Sequence, residues 1–270
     1  MPMKIKEWNY TKKDIAKYPQ GVKSQKESVL ANAVNAANYD LLQSISSGDR
    51  VLEIGCGSSS FLRDHMQVQS NWEGIDVFSI DSRERECIAT KLGSVHEIPF
   101  ANDSFDIVLS NQSIEHWFEY GVSISDGLKE ITRVLKVDGV AHINFPFFLH
   151  GHPLFVKGDL KSILELVDQD SLKVDDLIAF EDSEESDYPG WRRCGFPDFY
   201  IKRYSSTPTS FVVEAILKKI SNSNDAEVTN SEFREMHLPS RLSSTRRVMF
   251  HGVDILIWKV GKKIISKFFS

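Results

Sequence analysis

The sequence predicts an α/β fold in which a Rossmann-like, doubly wound, seven-stranded and mostly parallel sheet lies between two layers of helices. A short apolar run, Val51–Ile54, ends in Gly55-Cys56-Gly57 and is followed by three serines, which is typical of a strand, a tight turn and a helix start. Two later apolar runs end in Asp76 and Ser110. Apolar runs that alternate with helical patterns indicate strand–helix–strand units and hence a three-layer α/β/α arrangement.

The remaining elements follow in the order that this fold requires. Helical periodicity covers residues 24–45 and 160–167, and strands are expected at 140–145, at 172–180 as an edge strand, and at 211–217 as the last strand. We divide the chain into a leader (1–23) that would cover the cofactor pocket as a lid, a domain (24–220) with an acceptor-binding insertion at about 181–209, and a C-terminal extension (221–270) made of a polar linker and a basic amphipathic helix.

Composition narrows the function classes. The chain has 270 residues, of which 41% are hydrophobic and 26% charged, as in ordinary globular enzymes. Its net charge of −6 argues against a nucleic-acid partner, since such partners require a basic surface. The three cysteines show no metal-ligand spacing, and no signal peptide or membrane-spanning stretch is evident, so we expect a cytoplasmic protein without a metal.

The glycine turn indicates what kind of molecule binds there. Glycines let a ligand approach the backbone closely, because no Cβ intervenes. The third glycine of the dinucleotide fingerprint is absent, and Glu53 places a carboxylate where a pyrophosphate would be disfavoured. The turn therefore suits a nucleoside that carries an amino acid better than a dinucleotide.

Four downstream segments share their order with one enzyme family. They are Gly74-Ile75-Asp76-Val77, the run from His96 to Phe100 followed by Asp103 to Ser110, the run from Gln112 to Trp117, and the run from Lys129 to Gly139. With the glycine turn, they resemble the class I S-adenosylmethionine-dependent methyltransferases, specifically the type 11-like ones, over roughly residues 28 to 150. The resemblance implies a transferase that uses S-adenosyl-L-methionine and releases S-adenosyl-L-homocysteine.

The resemblance also implies a set of cofactor-binding residues. Asp76 would accept hydrogen bonds from the ribose hydroxyls, with Asp81 as an alternative. The family's usual aspartate for the adenine amino group is replaced by Ser94 or His96, so backbone groups around Val95 and Glu97 would read the adenine instead. The full set expected to contact the cofactor is Glu53, Gly55, Cys56, Gly57, Asp76, Val77, Glu97, Ile98, Ser110 and Asn111.

Three histidines are candidates for the base that takes a proton from the methyl acceptor. His116 follows the fourth strand, and His150 and His152 follow the fifth. Histidine titrates near neutral pH, which suits proton abstraction. The alternatives are a packing role for His116 and a structural turn for the other two; a metal held with Asp159 or Glu115 is disfavoured by the nonspecific spacing.

The acceptor is expected to contact aromatic and arginine side chains near the strand ends. Candidates are Trp117 and, within the insertion, Trp191, Arg192, Arg193 and Tyr200. Arginines hold phosphate or carboxylate groups, and aromatic rings stack on acceptor rings. The alternative is that the insertion only forms a small satellite core.

The run from Phe145 to Pro153 resembles, loosely, a turn of bacterial methyltransferases from surface-polysaccharide biosynthesis, although Leu154 to Lys157 depart from that pattern. This resemblance favours O-methylation of a sugar or glycan hydroxyl, with a small aromatic, quinone-like or lipid acceptor as the alternative.

Residues 246–269 form a basic amphipathic pattern that would lie on a membrane surface or pack on a second subunit. A non-catalytic scaffold that docks through this helix is the third reading.

Overall fold

The computed structural model describes residues 29–80, 84–147, 151–157, 160–183, 190–194 and 211–221. The predictions for the leader, Asp81, His150, Asp159, Tyr200 and the amphipathic helix lie outside these residues. The helices are α1 (Val29–Ser44), α2 (Phe61–His65), α3 (Ile124–Val134), α4 (Pro153–Lys157) and α5 (Leu160–Val167), with 3-10 helices at Gln69–Asn71 and Ile114–Tyr120. The strands are β1 (Val51–Ile54), β2 (Trp72–Asp76), β3 (Lys91–Leu92), β4 (Phe105–Asn111), β5 (Leu135–Phe147), β6 (Leu172–Ser183), β7 (Gly190–Cys194) and β8 (Phe211–Lys219).

The strands form one sheet in the order β3-β2-β1-β4-β5-β8-β6-β7. β1 to β5 are parallel, and β8 runs antiparallel between β5 and β6. The predicted seven-stranded, mostly parallel sheet is therefore confirmed. The structure adds an eighth strand, β7, which pairs antiparallel with β6 within the region predicted as an insertion.

Helices cover both faces of the sheet, because the central strands carry apolar side chains on both of their faces. All four residues of β1 are buried. Leu52 and Ile54 join the larger core, which α3 and α5 complete. Val51 joins a second core on the opposite face with Leu41 of α1 and Leu62 of α2. Burial on both faces is the reason that β1 reads as an unbroken apolar run apart from Glu53.

β5 begins five residues earlier than the sequence pattern indicates. The pairing of β4 with β5 shifts register between Phe105 and Ile107, opposite a bulge in β5. At the bulge Asp138 has a φ of 68°, and a Cβ on Gly139 would lie 2.9 Å from the Asp106 carbonyl oxygen. The Asp138-Gly139 pair therefore marks a bulge within the strand instead of a turn before it.

No helix in the described part of the chain is long and apolar enough to cross a membrane.

Candidate active site

A cavity of about 220 Å³ opens at the carboxyl ends of the parallel strands. Sheets of this topology bind ligands at this edge, where the connections leave the strands. Segments that follow β1, β2, β3 and β4 line the cavity: Ile54, Gly55, Asp76, Val77, Phe78, Gly93, Ser94, Val95, Gln112, Ser113, His116, Trp117, Tyr120 and Val122.

The glycine turn and Asp76 are held to each other. Gly55 has a φ of +69°, and a Cβ there would lie 2.9 Å from Ser113 Oγ, so both backbone conformation and space require glycine. The Gly57 N–H donates to Asp76 Oδ2 at 2.9 Å, and the Phe78 N–H donates to Asp76 Oδ1 at 3.1 Å. These bonds fix the Asp76 carboxylate at the cavity edge, where the sequence places the ribose.

Glu53 faces the protein interior and does not line the cavity. Its Oε2 accepts from Ser60 Oγ at 2.5 Å and from Trp72 Nε1 at 3.1 Å, and Asn111 Nδ2 lies 3.4 Å from Oε1. Burial raises the pKa of the Glu53 carboxyl, although these hydrogen bonds lower it. Glu53, expected to contact the cofactor, instead ties β1 to β2, β4 and the start of α2.

Several other expected cofactor residues also lie beside the cavity without lining it. Cys56 is buried in the second core, and burial raises the pKa of its thiol, which fits a small apolar filler. Ile98 is buried in the larger core, and its N–H donates to Glu130 Oε2 at 2.9 Å. Glu97, Ser110 and Asn111 are likewise not among the lining residues. The segment Gly93–Val95 lines the cavity in the place expected of Glu97 and Ile98, and the chain then passes through the exposed His96 before Ile98 enters the core.

His116 is the described candidate base that lines the cavity. Its Nδ1 lies 2.9 Å from Glu119 Oε1, and its Nε2 lies 3.9 Å from Glu115 Oε1. When Nδ1 carries a proton toward Glu119, Nε2 is the nitrogen that accepts a proton from a substrate. The two carboxyl groups stabilise the imidazolium that forms.

Glu115 is fully buried beside His116. Burial raises the pKa of the Glu115 carboxyl to about 7, and nearby His116 opposes the shift. The loop after β5 packs directly on this residue: the His152 N–H donates to the Glu115 carbonyl at 2.8 Å. Gly151, with a φ of +90°, lies so close that a Cβ would come within 2.5 Å of Glu115 Cβ.

His152 does not line the cavity. Its Nδ1 accepts from the Leu154 N–H at 3.2 Å, and its ring packs edge-on against Phe118 at 5.3 Å. These contacts at the start of α4 match the structural alternative for this residue.

Of the expected acceptor contacts, Trp117 lines the cavity and its Nε1 donates to Ser113 Oγ at 2.9 Å. Trp191, Arg192 and Arg193 lie on β7. β7 is the last strand of the sheet, and these three residues are not among those that line the described cavity.

Sequence reasoning missed Phe78, Gln112, Ser113, Tyr120 and Val122, all of which line the cavity. The available signal was position, since Phe78 and Gln112 each come within two residues of the end of a strand. The set fits the cofactor that the resemblance implies: Asp76 supplies acceptors for ribose hydroxyls, and Val77, Phe78 and Val95 supply apolar surface for a base. No group of His, Cys, Asp and Glu suited to a metal occurs within the described ranges.

Comparison with known proteins shows what this region is similar to. Residues 52–143, about a third of the chain, match the model of a methyltransferase domain family. The uncharacterized protein YafE of Escherichia coli K12 is 35% identical over 77 residues, which are 27% of this chain and 33% of YafE. The uncharacterized methyltransferase YcgJ of Bacillus subtilis 168 is 29% identical over 99 residues, 33% of this chain and 38% of YcgJ. The chain thus spans about a third of the length of the curated relatives it matches.

Solved structures also resemble the chain at low identity. The crystal structure of Bacillus subtilis YcgJ gives a TM-score of 0.43 at 14% identity, with 69% of this chain and 99% of that one covered. Geranyl diphosphate C-methyltransferase from Streptomyces coelicolor gives 0.45 at 12% identity, with 74% and 86% covered.

The family match covers the glycine turn, Asp76 and His116, which the strand order brings to one edge of the sheet. Residues 52–143 are therefore similar to the methyltransferase domain family over the segment that carries the glycine turn, Asp76 and His116.

Proposed function

We propose that the protein transfers a methyl group from S-adenosylmethionine to a hydroxyl of a sugar or glycan in surface-polysaccharide biosynthesis, with His116 as the proton acceptor. The observation that carries the proposal is the joint presence of Gly55, Asp76 and His116 on the lining of one cavity at the carboxyl edge of the sheet.

The residues divide into two roles. Gly55 and Gly57 allow close approach of the cofactor, and Asp76 accepts hydrogen bonds from its ribose. When bound, S-adenosylmethionine supplies an electrophilic methyl group on a sulfonium. His116 Nε2 takes the proton of the acceptor hydroxyl, and Glu119 stabilises the charge that develops on the ring.

Isothermal titration with S-adenosylmethionine and S-adenosylhomocysteine tests the cofactor part. Asp76→Ala is expected to weaken binding about 10- to 100-fold, as for loss of hydrogen bonds to a charged group. Asp170→Ala, which changes an exposed aspartate before β6 that does not line the cavity, is the matched control and should bind like wild type. Equal affinity in the Asp76 variant contradicts the assignment.

Transfer of a labelled methyl group to a panel of glycosides, nucleotide sugars, phenols and lipids tests the acceptor part. His116→Ala should bind cofactor normally and lose about 10²- to 10⁴-fold in turnover, the usual contribution of a general base. His65→Ala, an exposed histidine on α2, is the control. Transfer only to phenols or lipids favours the alternative acceptors. Full activity of the His116 variant excludes His116 as the base.

The C-terminal extension is proposed to contact a membrane surface. Full-length protein should co-sediment with anionic vesicles, and a variant ending at residue 245 should not. A change of oligomeric state in the truncated protein would instead support the subunit-packing alternative.

A further inference from the structure

Two amide side chains meet where β4 and β5 end. Gln112 Nε2 donates to Asn144 Oδ1, and the Gln112 N–H donates to the Asn144 carbonyl at 2.8 Å. Gln112 lines the cavity, whereas Asn144 is fully buried on the neighbouring strand. The pair therefore links the cavity to β5, on the side away from Asp76 and β2.

Each amide also has one buried polar atom without a hydrogen-bond partner. Gln112 Oε1 and Asn144 Nδ2 are both shielded from solvent, and neither has a partner in the part of the chain that the structure describes. If the oxygen and nitrogen of both side-chain amides are interchanged, one acceptor and one donor still lack a partner. Such atoms are few in native proteins, and one of these two belongs to a residue that lines the cavity, which indicates a bound molecule with a complementary donor and acceptor.

The backbone of Gln112 is strained in a way that supports a functional role. Its φ is 49°, in the left-handed region that favours glycine and, less strongly, asparagine. Residues held in such conformations cluster at ligand sites, where the surrounding structure over-determines them. Here the two hydrogen bonds to Asn144 hold the conformation.

The position of the pair identifies which substrate it contacts. Gly55 and Asp76 follow β1 and β2, so the cofactor occupies that half of the cavity. Gln112 follows β4, and His116 lies on the 3-10 helix that begins two residues later. The amide pair is therefore on the β4–β5 side, with the base that takes the acceptor's proton.

We propose that Gln112 and Asn144 form a subsite that binds a neutral, polyhydroxylated methyl acceptor. The inference rests on the proposed methyltransferase function and specifies its acceptor. A hydroxyl both donates and accepts, so one hydroxyl or two neighbouring ones satisfy the amide oxygen and the amide N–H together. A carboxylate or phosphate has only acceptor oxygens, which the Gln112 carbonyl oxygen would repel, and the lining residues of the described cavity include no lysine or arginine.

The test uses full-length, ¹⁵N-labelled protein loaded with S-adenosylhomocysteine and titrated with methyl α-D-glucopyranoside, with sodium glucuronate as the charged comparison. The glycoside should shift the Gln112 side-chain amide signals, which are assigned by their absence in Gln112→Gly. That variant should bind the glycoside about three- to tenfold more weakly, as for one or two neutral hydrogen bonds, and bind S-adenosylhomocysteine unchanged.

The variant is chosen so that folding does not confuse the result. Glycine accepts the positive φ without strain, which offsets part of the lost hydrogen bond to Asn144, so Gln112→Gly should fold with a melting temperature only modestly below that of wild type. Gln112→Asn also accepts this φ and keeps an amide, so it should retain part of the glycoside affinity. Gln43→Ala, an exposed glutamine on α1, is the matched control.

Each other outcome overturns the inference. Equal glycoside affinity in wild type and Gln112→Gly, tighter binding of glucuronate, or no glycoside binding to cofactor-loaded wild type leaves the proposed function standing but removes this subsite. An equal loss of S-adenosylhomocysteine affinity in Gln112→Gly assigns the residue to the cofactor. Failure of wild type to bind S-adenosylhomocysteine overturns both proposals.

Discussion

The two halves of the cavity edge differ in how their polar groups are satisfied. At β1 and β2, Glu53 and Asp76 are held by hydrogen bonds from Ser60, Trp72 and the backbone of Gly57. At β4 and β5, buried polar atoms of Gln112 and Asn144 have no partner in the described part of the chain. The buried carboxylate of Glu53 is thus satisfied within the protein, whereas the proposed Gln112–Asn144 subsite offers hydrogen-bonding atoms to the acceptor. Glu53→Ala should therefore cost stability, and substitution of Gln112 should mainly cost acceptor affinity.

Glu53→Ala tests the first half and should have the largest effect. It leaves Ser60 Oγ and Trp72 Nε1 buried without their acceptor and opens a cavity, so we expect a loss of about 3–4 kcal/mol in the free energy of unfolding. Urea denaturation measures it. Glu53→Gln keeps one acceptor oxygen and should lose less, and Glu165→Ala on the surface of α5 should change little. A loss below that of the Glu165 variant would refute the view that Glu53 supports the fold.

Glu115→Gln should change how stability depends on pH. The folded pKa of about 7 lies above the ordinary 4.5, so the folded state binds more protons than the unfolded one between these values. Wild-type stability from this group is therefore lost as pH rises from about 4.5 to 7. The neutral glutamine removes this loss, and we expect the variant to gain about 2–3 kcal/mol relative to wild type between pH 4.5 and pH 8.

The measurement is urea denaturation of both proteins across that range. Glu119→Gln is the companion variant, because Glu119 also contacts His116 but is partly exposed. Parallel pH profiles for wild type and Glu115→Gln would show that the pKa of Glu115 is not raised in the folded protein.

Gly151→Ala tests how firmly the loop after β5 is seated on Glu115. The added Cβ would come within 2.5 Å of Glu115 Cβ at a φ of +90°, so the loop must move and stability should fall by about 2 kcal/mol. Thermal unfolding measures the loss. Gly121→Ala also has a positive φ but open space around the new Cβ, so it separates backbone strain from crowding. Equal losses in the two variants would mean that contact with Glu115 contributes nothing.

The sequence predicted the parts of the site that depend on local patterns. The glycine turn, the strand ending in Asp76 and the helix after Ser60 each involve residues close together in the chain, and the structure has all three. His116 could be placed near the cavity because it closely follows β4. Turn, cap and strand signals are local, so one sequence suffices to read them.

Contacts between distant residues account for what the sequence did not predict. Glu53 turns inward because Trp72 and Asn111, 19 and 58 positions away, meet it there. The Gln112–Asn144 pair joins residues 32 positions apart through the register of β4 with β5. Trp191, Arg192 and Arg193, expected to contact the acceptor, lie on β7, which pairs with β6 as the last strand of the sheet. No periodic pattern in the sequence predicts any of these pairings.

Two serines give the smallest and most direct comparison. Ser60 Oγ donates to Glu53 and accepts from the Arg63 N–H at 3.1 Å as the cap of α2, so Ser60→Ala should cost about 1–2 kcal/mol. Ser110 is as deeply buried on β4, yet its hydroxyl has no partner among the described residues, and its cross-strand neighbours are Ile54 and Ile143. Ser110→Ala removes a buried polar group that makes no hydrogen bond, so stability should stay within about 0.5 kcal/mol of wild type or rise. If both variants lose stability equally, Ser110 has a partner that matters to the fold; if only Ser110→Ala also weakens methyl transfer, its hydroxyl belongs to the β4–β5 half of the site.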